Sequence, residues 1–233
     1  MTVAREILEA ALKRNQRALS EFDSKQLLSA YGIPVARGAI ARDWNETRKA
    51  ASSIGYPVVL KFCSPEVTHK TEKNLIEIDI RDEKGLHEAF QRLKEEIKDT
   101  DEGFLVEEMI KGPRELVIGM TRDPQFGPCV MFGLGGIFTE VLNDVCFRVA
   151  PIEKRDALEM MHEIKAHKIL QPIRGMETVD LDVLSQSIIS LGKIGLENES
   201  VEQVDVNPLI IKKGKPIAAD ALVILKHTGS ELT

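Results

Sequence analysis

The stretch 129-CVMFGLGGIFTEVLNDVCFRVAP-151 decides how the rest of the chain reads. An apolar run, Val130-Met131-Phe132, enters a glycine turn, Gly133-Leu134-Gly135-Gly136. Two strand-like runs follow, Ile137 to Leu142 and Val145 to Ala150, joined at Asn143-Asp144. Glycine and Asn-Asp punctuate β-branched and aromatic residues, so the pattern predicts strand, turn and hairpin. Glu140, Asp144 and Arg148 recur every four residues, and the two-residue period of a strand puts Glu140 and Arg148 on the faces of other even-numbered residues. Two acids and an arginine on an otherwise apolar sheet suit a metal-bound polyphosphate, and equally a hairpin with one solvated face.

Outward from that stretch, 233 residues with 43% hydrophobic content can bury one large core or two small lobes. A net charge of -6 and a pI near 5.5 argue against a nucleic-acid binder, which needs a basic surface. They leave room for a nucleotide, whose phosphates need only a few local cations and amides. Cys63, Cys129 and Cys146 are odd in number and far apart, with no CxxC spacing, so neither a zinc site nor a disulfide framework is expected. Reduced thiols in a cytoplasmic protein are the default. Glu6 and Glu9 interrupt any leader-like core, and no run approaches the roughly 18 apolar residues of a membrane span.

Before the glycine turn, helices are expected over Ala4–Leu19, Ser24–Tyr31, Trp44–Ile54 and Glu83–Ile97. Gly32 and Gly55 end two of them. Strands are expected over Tyr56–Phe62, Leu75–Arg81, Phe104–Ile110 and Arg114–Met120, with a polar loop from Cys63 to Asn74. After the turn come helices over Lys154–Ile164 and Asp180–Leu196, then a strand, Val201–Ile211, interrupted at Asn207-Pro208. Pro216–Leu225 is its expected hairpin partner. Helices with antiparallel hairpins make this an α+β architecture.

Six ordered segments resemble one family: Val58-Val59-Leu60-Lys61; Ser64-Pro65 with His69-Lys70-Thr71-Glu72; Val106-Glu107-Glu108-Met109; Glu115-Leu116-Val117-Ile118-Gly119; the opening stretch; and Gln203-Val204-Asp205-Val206-Asn207-Pro208-Leu209. Together they look like an ATP-grasp protein. They most resemble the β subunit of the NDP-forming (ADP-forming) acyl-CoA synthetases, with succinyl-CoA synthetase β subunits as more distant relatives. The resemblance implies two α+β lobes gripping a nucleotide between them. The expected division is an N-terminal helix, 1–19, lobe 1, 20–105, and lobe 2, 106–233.

The resemblance also implies roles, with ATP/ADP and Mg2+ as cofactors. Lys61 would reach the phosphates from the end of its strand, so that alanine there would leave the fold intact. Glu107, Met109 and Ile110 would face the adenine, and Glu115 the sugar. Gly135 and Gly136 would let backbone approach the phosphates, and Arg148 would neutralise the transferred phosphoryl group. Asn207 and Asp220 would hold Mg2+, joined by Asp205. His69 would carry the phosphoryl group as phosphohistidine. The implied partner is a larger CoA-binding α subunit that carries a phosphohistidine, in an α2β2-type hetero-oligomer. The sequence departs from the pattern at Asn74-Leu75, where the family has a glycine pair. Two other readings stay open: a free-standing ATP-grasp carboxylate ligase, and a non-catalytic paralogue that binds a partner.

Overall fold

Helices begin where the sequence supplies an oxygen for the free N–H groups of the first turn. Asp43 accepts from Glu46 N–H at 2.9 Å, Asp82 from Gly85 N–H at 2.7 Å and Asp180 from Val183 N–H at 3.1 Å. Glu153 and Asp156 form a reciprocal capping box. The computed structural model describes residues 2–65, 75–97, 102–136, 143–172, 175 and 177–226. In order these form α1 (Thr2–Lys13), α2 (Glu21–Ala30), β1 (Gly38–Ala41), α3 (Trp44–Ile54), β2 (Val58–Cys63), β3 (Ile76–Ile80), α4 (Glu83–Glu96), β4 (Gly103–Glu108), β5 (Glu115–Asp123), β6 (Gly127–Leu134), β7 (Val145–Val149), α5 (Lys154–Glu163), a 3-10 turn (His167–Leu170), α6 (Leu181–Glu197), β8 (Val201–Lys212), β9 (Lys215–Ala218) and β10 (Leu222–Leu225).

Contacts divide the chain into two compact units. The larger comprises Met1–Leu19, Asp23–Val35 and Ile110–Thr233; the smaller comprises Ser20–Phe22 and Ala36–Met109. The expected boundary at 105/106 falls inside β4, whose residues share one antiparallel ladder with β2, and the division lies after Met109 instead. The N-terminal helix does not stand apart either. Ala4, Leu8 and Ala11 of α1 enter the core of the larger unit, with Leu27 and Leu28 of α2.

The smaller unit is an antiparallel sheet ordered β1-β4-β2-β3. Its core gathers Leu60, Leu86, Phe90, Leu93 and Phe104 from the sheet and α4. The larger unit has a six-stranded sheet with the path β10-β8-β5-β6-β7, and β9 also pairs with β8. One face of that sheet, including Ile118, Met120, Val130, Phe132, Val204 and Val206, is buried with residues of α5 and α6. Arg114 is buried too; its guanidinium donates to the carbonyls of Ile169 and Gln171, at 3.0 and 3.3 Å, and of Glu177. Among the described residues no helix is long and apolar enough to cross a membrane.

Four local expectations change. Helix α1 stops at Lys13 because Asn15 turns left-handed (φ 52), and the chain then lies along β10, with Leu19 N–H bonded to the Val223 carbonyl at 2.9 Å. Strand β8 runs through Asn207-Pro208. A register shift opposite Leu116–Ile118 absorbs the proline, which has no N–H to give a ladder. The expected partner over 216–225 is two strands, β9 and β10, broken at Ala219-Asp220-Ala221. Strand β7 pairs with β6, Cys146 opposite Phe132, while the Ile137–Leu142 run lies outside the described residues.

Candidate active site

Two clusters of polar side chains form, one in each unit. In the smaller unit Lys61 is not a solvated strand-end lysine. It lies inside β2, and its Nζ pairs with Glu21 Oε1 and, at 3.0 Å, with Glu107 Oε2. The three side chains are 6%, 2% and 3% exposed, so the charges are held where water does not screen them. The sequence reading did not single out Glu21. No local pattern marks a carboxylate whose partner lies 40 residues away. Glu108, next to Glu107, instead meets Arg37, accepting from its backbone N–H at 3.1 Å and its guanidinium at 3.3 Å. Met109 N–H is bonded to the Pro57 carbonyl at 3.2 Å, and Ile110 is buried. His69 lies outside the described residues.

In the larger unit the glycine turn is pinned at both of its last residues. Gly135 N–H donates to the Glu115 carbonyl at 2.9 Å, and Gly136 N–H to Asn207 Oδ1 at 3.1 Å. Glycine is required twice over. A Cβ on Gly135 would lie 2.3 Å from the Leu116 carbonyl oxygen, and one on Gly136, at φ +66, would meet the Glu115 carboxylate. Glu115, Gly136 and Asn207 therefore converge. The glycines also serve packing against β5, a role the sequence did not show.

Asp205 and Asp220 interact electrostatically, and Asp220 Oδ1 accepts from the Ala221 N–H at 2.8 Å. No three His, Cys, Asp or Glu side chains cluster as a metal site among the described residues. The candidate donors are instead the two carboxylates and the Asn207 amide oxygen, which keeps a second lone pair beyond the Gly136 bond. Hard oxygen ligands that leave positions for water and phosphate fit Mg2+, and two like charges held close favour a cation.

Burial, and secondarily the Asp220 charge, push the Asp205 carboxyl up from 3.8 to about 6. The folded protein thus holds this proton more tightly than the unfolded chain. The stability so gained is full below about pH 4 and is lost as pH rises through about 6. In protein without nucleotide or Mg2+, Asp205→Asn is expected to add on the order of 2 kcal/mol near pH 7.5 and almost nothing near pH 4. Urea midpoints of both proteins across that range check this; parallel curves would refute it.

Arg148 does not join the acids. Cross-strand pairing makes one row of Phe147, Met131, Gly119 and Asp205, and another of Arg148, Val130, Met120 and Val204. The second row lies on the face buried against the helices, so Arg148 and Asp205 project from opposite faces. Arg148 donates to Glu163 Oε2 of α5 at 2.7 Å and to the Phe147 carbonyl at 3.0 Å. Asp144 is likewise taken: buried, it accepts from the Lys165 and Ala166 N–H groups, each at 2.7 Å. Lys25, also missed, is 2% exposed, and its Nζ donates to the Ala219 carbonyl at 2.8 Å.

This α+β fold is that of an ATP-grasp domain, and the model of the ATP-grasp domain family matches residues 10–225. The chain is 44% identical over 227 residues to acetate–CoA ligase [ADP-forming] I subunit beta of Pyrococcus furiosus, covering 95% of this chain and 97% of that one. It is 40% identical to acetate–CoA ligase [ADP-forming] I of Archaeoglobus fulgidus, but spans only 33% of that longer protein. Among solved structures, acetyl-coenzyme A synthetase 1 of Ca. Korarchaeum cryptofilum, in complex with coenzyme A and Ca-AMPCP, superimposes with a TM-score of 0.91 at 40% identity, over 96% of this chain and 100% of that one. The same enzyme has been solved with Mg-AMPPCP and a phosphohistidine segment pointing towards its nucleotide-binding site, at a TM-score of 0.85, 40% identity and the same coverage. The chain belongs to the ATP-grasp family, and within it to the β subunits of ADP-forming acetate–CoA ligases.

Proposed function

We propose that the chain is the nucleotide-binding subunit of an ADP-forming acyl-CoA synthetase, acetate being the acid named for the relative it matches end to end. It would interconvert acyl-CoA, ADP and phosphate with acid, ATP and CoA. The observation that carries this is the end-to-end match to a β subunit, 97% of whose length the chain covers. A separate, larger α subunit that binds CoA and carries a phosphohistidine completes the enzyme, in an α2β2-type assembly in the cytoplasm. Co-purification with that subunit, and the mass of the complex, test the assembly.

Lys61, ion-paired with Glu21 and Glu107, contacts the phosphates of ATP or ADP. Residues from Glu107 to Ile110 border the base, and the Glu115 carboxylate accepts from sugar hydroxyls. Gly135 and Gly136 bring backbone close to the phosphates. Asn207, Asp220 and Asp205 hold Mg2+, which supplies charge neutralisation to the polyphosphate when bound. Arg148, engaged with Glu163 on the other face, is left out of this reading. His69 accepts the phosphoryl group: its imidazole nitrogen bonds to the γ-phosphorus, the bond to the ADP oxygen breaks, and ADP leaves.

The test uses the chain with its α partner and γ-labelled ATP. An acid-labile label on this subunit is expected, discharged when CoA and acid are added. His69→Ala is expected to keep ATP affinity within about twofold and to lower acyl-CoA synthesis by at least ~100-fold. Full synthesis by that variant would remove His69 from the reaction.

A further inference from the structure

Lysine is almost never buried without a partner, because removing an ammonium from water is costly. Lys25 is buried and bonded to the Ala219 carbonyl, 194 residues away in sequence. That carbonyl belongs to the peptide joining Ala219 to Asp220. The peptide is planar, so holding its oxygen fixes the plane from which the Asp220 Cα departs. Ala219-Asp220-Ala221 lies between β9 and β10, outside both strands, and strand pairing does not set its course. Ala219 N–H bonds to the Pro208 carbonyl at 3.1 Å, which fixes one side of the break. Lys25 fixes the other. A well-packed apolar side chain would fill the same space with less desolvation, so a charged donor here serves orientation.

We propose that Lys25 is a positioning residue for Mg2+ binding: by holding the Ala219 carbonyl it sets the direction in which Asp220 presents its carboxylate. The proposal rests on the reading of Asp220 as a Mg2+ ligand.

The experiment measures ATP affinity by calorimetry in EDTA and across a Mg2+ titration, for the wild type, Lys25→Met and Asp220→Asn. Lys25→Met is expected to raise the Mg2+ concentration for half-maximal enhancement about tenfold, and to leave ATP affinity in EDTA within twofold. Lys25→Gln, polar and close in volume, guards against a folding defect and is expected to shift the requirement at least threefold. If Asp220→Asn raises the Mg2+ requirement and neither Lys25 variant does, the positioning role is overturned and the Mg2+ reading stands. An equal loss with and without Mg2+ would make Lys25 a purely structural group and also overturn it. If Asp220→Asn changes nothing, the Mg2+ reading itself fails.

Discussion

Replacing Lys61 by methionine is expected to abolish measurable ATP binding and to lower the unfolding free energy by about 3–5 kcal/mol. The sequence alone suggested a neutral change in the fold, since a strand-end lysine adds little to a core. The structure reverses that expectation. Lys61 is the shared partner of Glu21 and Glu107, both nearly inaccessible. Removing it leaves two carboxylates close together with their common cation gone. The sign can be tested internally. Lys61→Met combined with Glu21→Gln and Glu107→Gln removes all three charges, and is expected to recover most of the stability while binding stays lost. Urea unfolding reads the first effect and calorimetry the second. A Lys61→Met protein as stable as the wild type would show that the cluster holds nothing together.

Gly135→Ala is expected to cost about 3 kcal/mol and to weaken ATP binding at least tenfold. The new Cβ would sit 2.3, 2.4 and 2.8 Å from the carbonyl oxygen, carbonyl carbon and nitrogen of Leu116. These are backbone atoms of a central strand and cannot rotate aside. The end of β6 must move, and the Gly135–Glu115 and Gly136–Asn207 hydrogen bonds stretch with it. Gly127→Ala is the control. Gly127 is the opposite case: its φ is positive, +77, but a Cβ there meets nothing within 4 Å, so only the backbone preference of roughly 1 kcal/mol is lost. Calorimetric melting of the two variants separates clash from conformation. A Gly135→Ala loss no larger than that of Gly127→Ala would refute the cost of the close approach.

What the sequence displayed best was local. Asp180 and the glycines after α2 and α3 mark helix ends with chemistry that acts within four residues. The antiparallel α+β layout followed from short strands and turn residues. What failed was non-local. The apolar period of α1 continues to Leu19, yet Ala18 and Leu19 are buried against β10 rather than in a helix. Arg148 was placed by strand parity, and parity was right. Nothing in a single strand says which face the helices cover, and Arg148 took the covered one. Lys61 was read as a strand-end lysine, and Glu21 and Lys25 were not singled out; their burial depends on residues distant in sequence. Asp144 resembled a ligand because its partners, two backbone N–H groups after α5, carry no sequence signature.

Two arginines of the larger unit respond differently to ionic strength. Arg148 meets Glu163 with the two side chains 34% and 49% exposed, and salt screens such a pair at distances set by a Debye length of about 8 Å at physiological concentration. Arg114 fastens the 3-10 turn and the segment after it through neutral carbonyl oxygens inside the protein. Counterions have no opposite charge there to displace, and the acceptors bear no proton to gain. The anchorage of that turn is therefore indifferent to brine and to acid alike, while the tie between β7 and α5 loosens as salt is added.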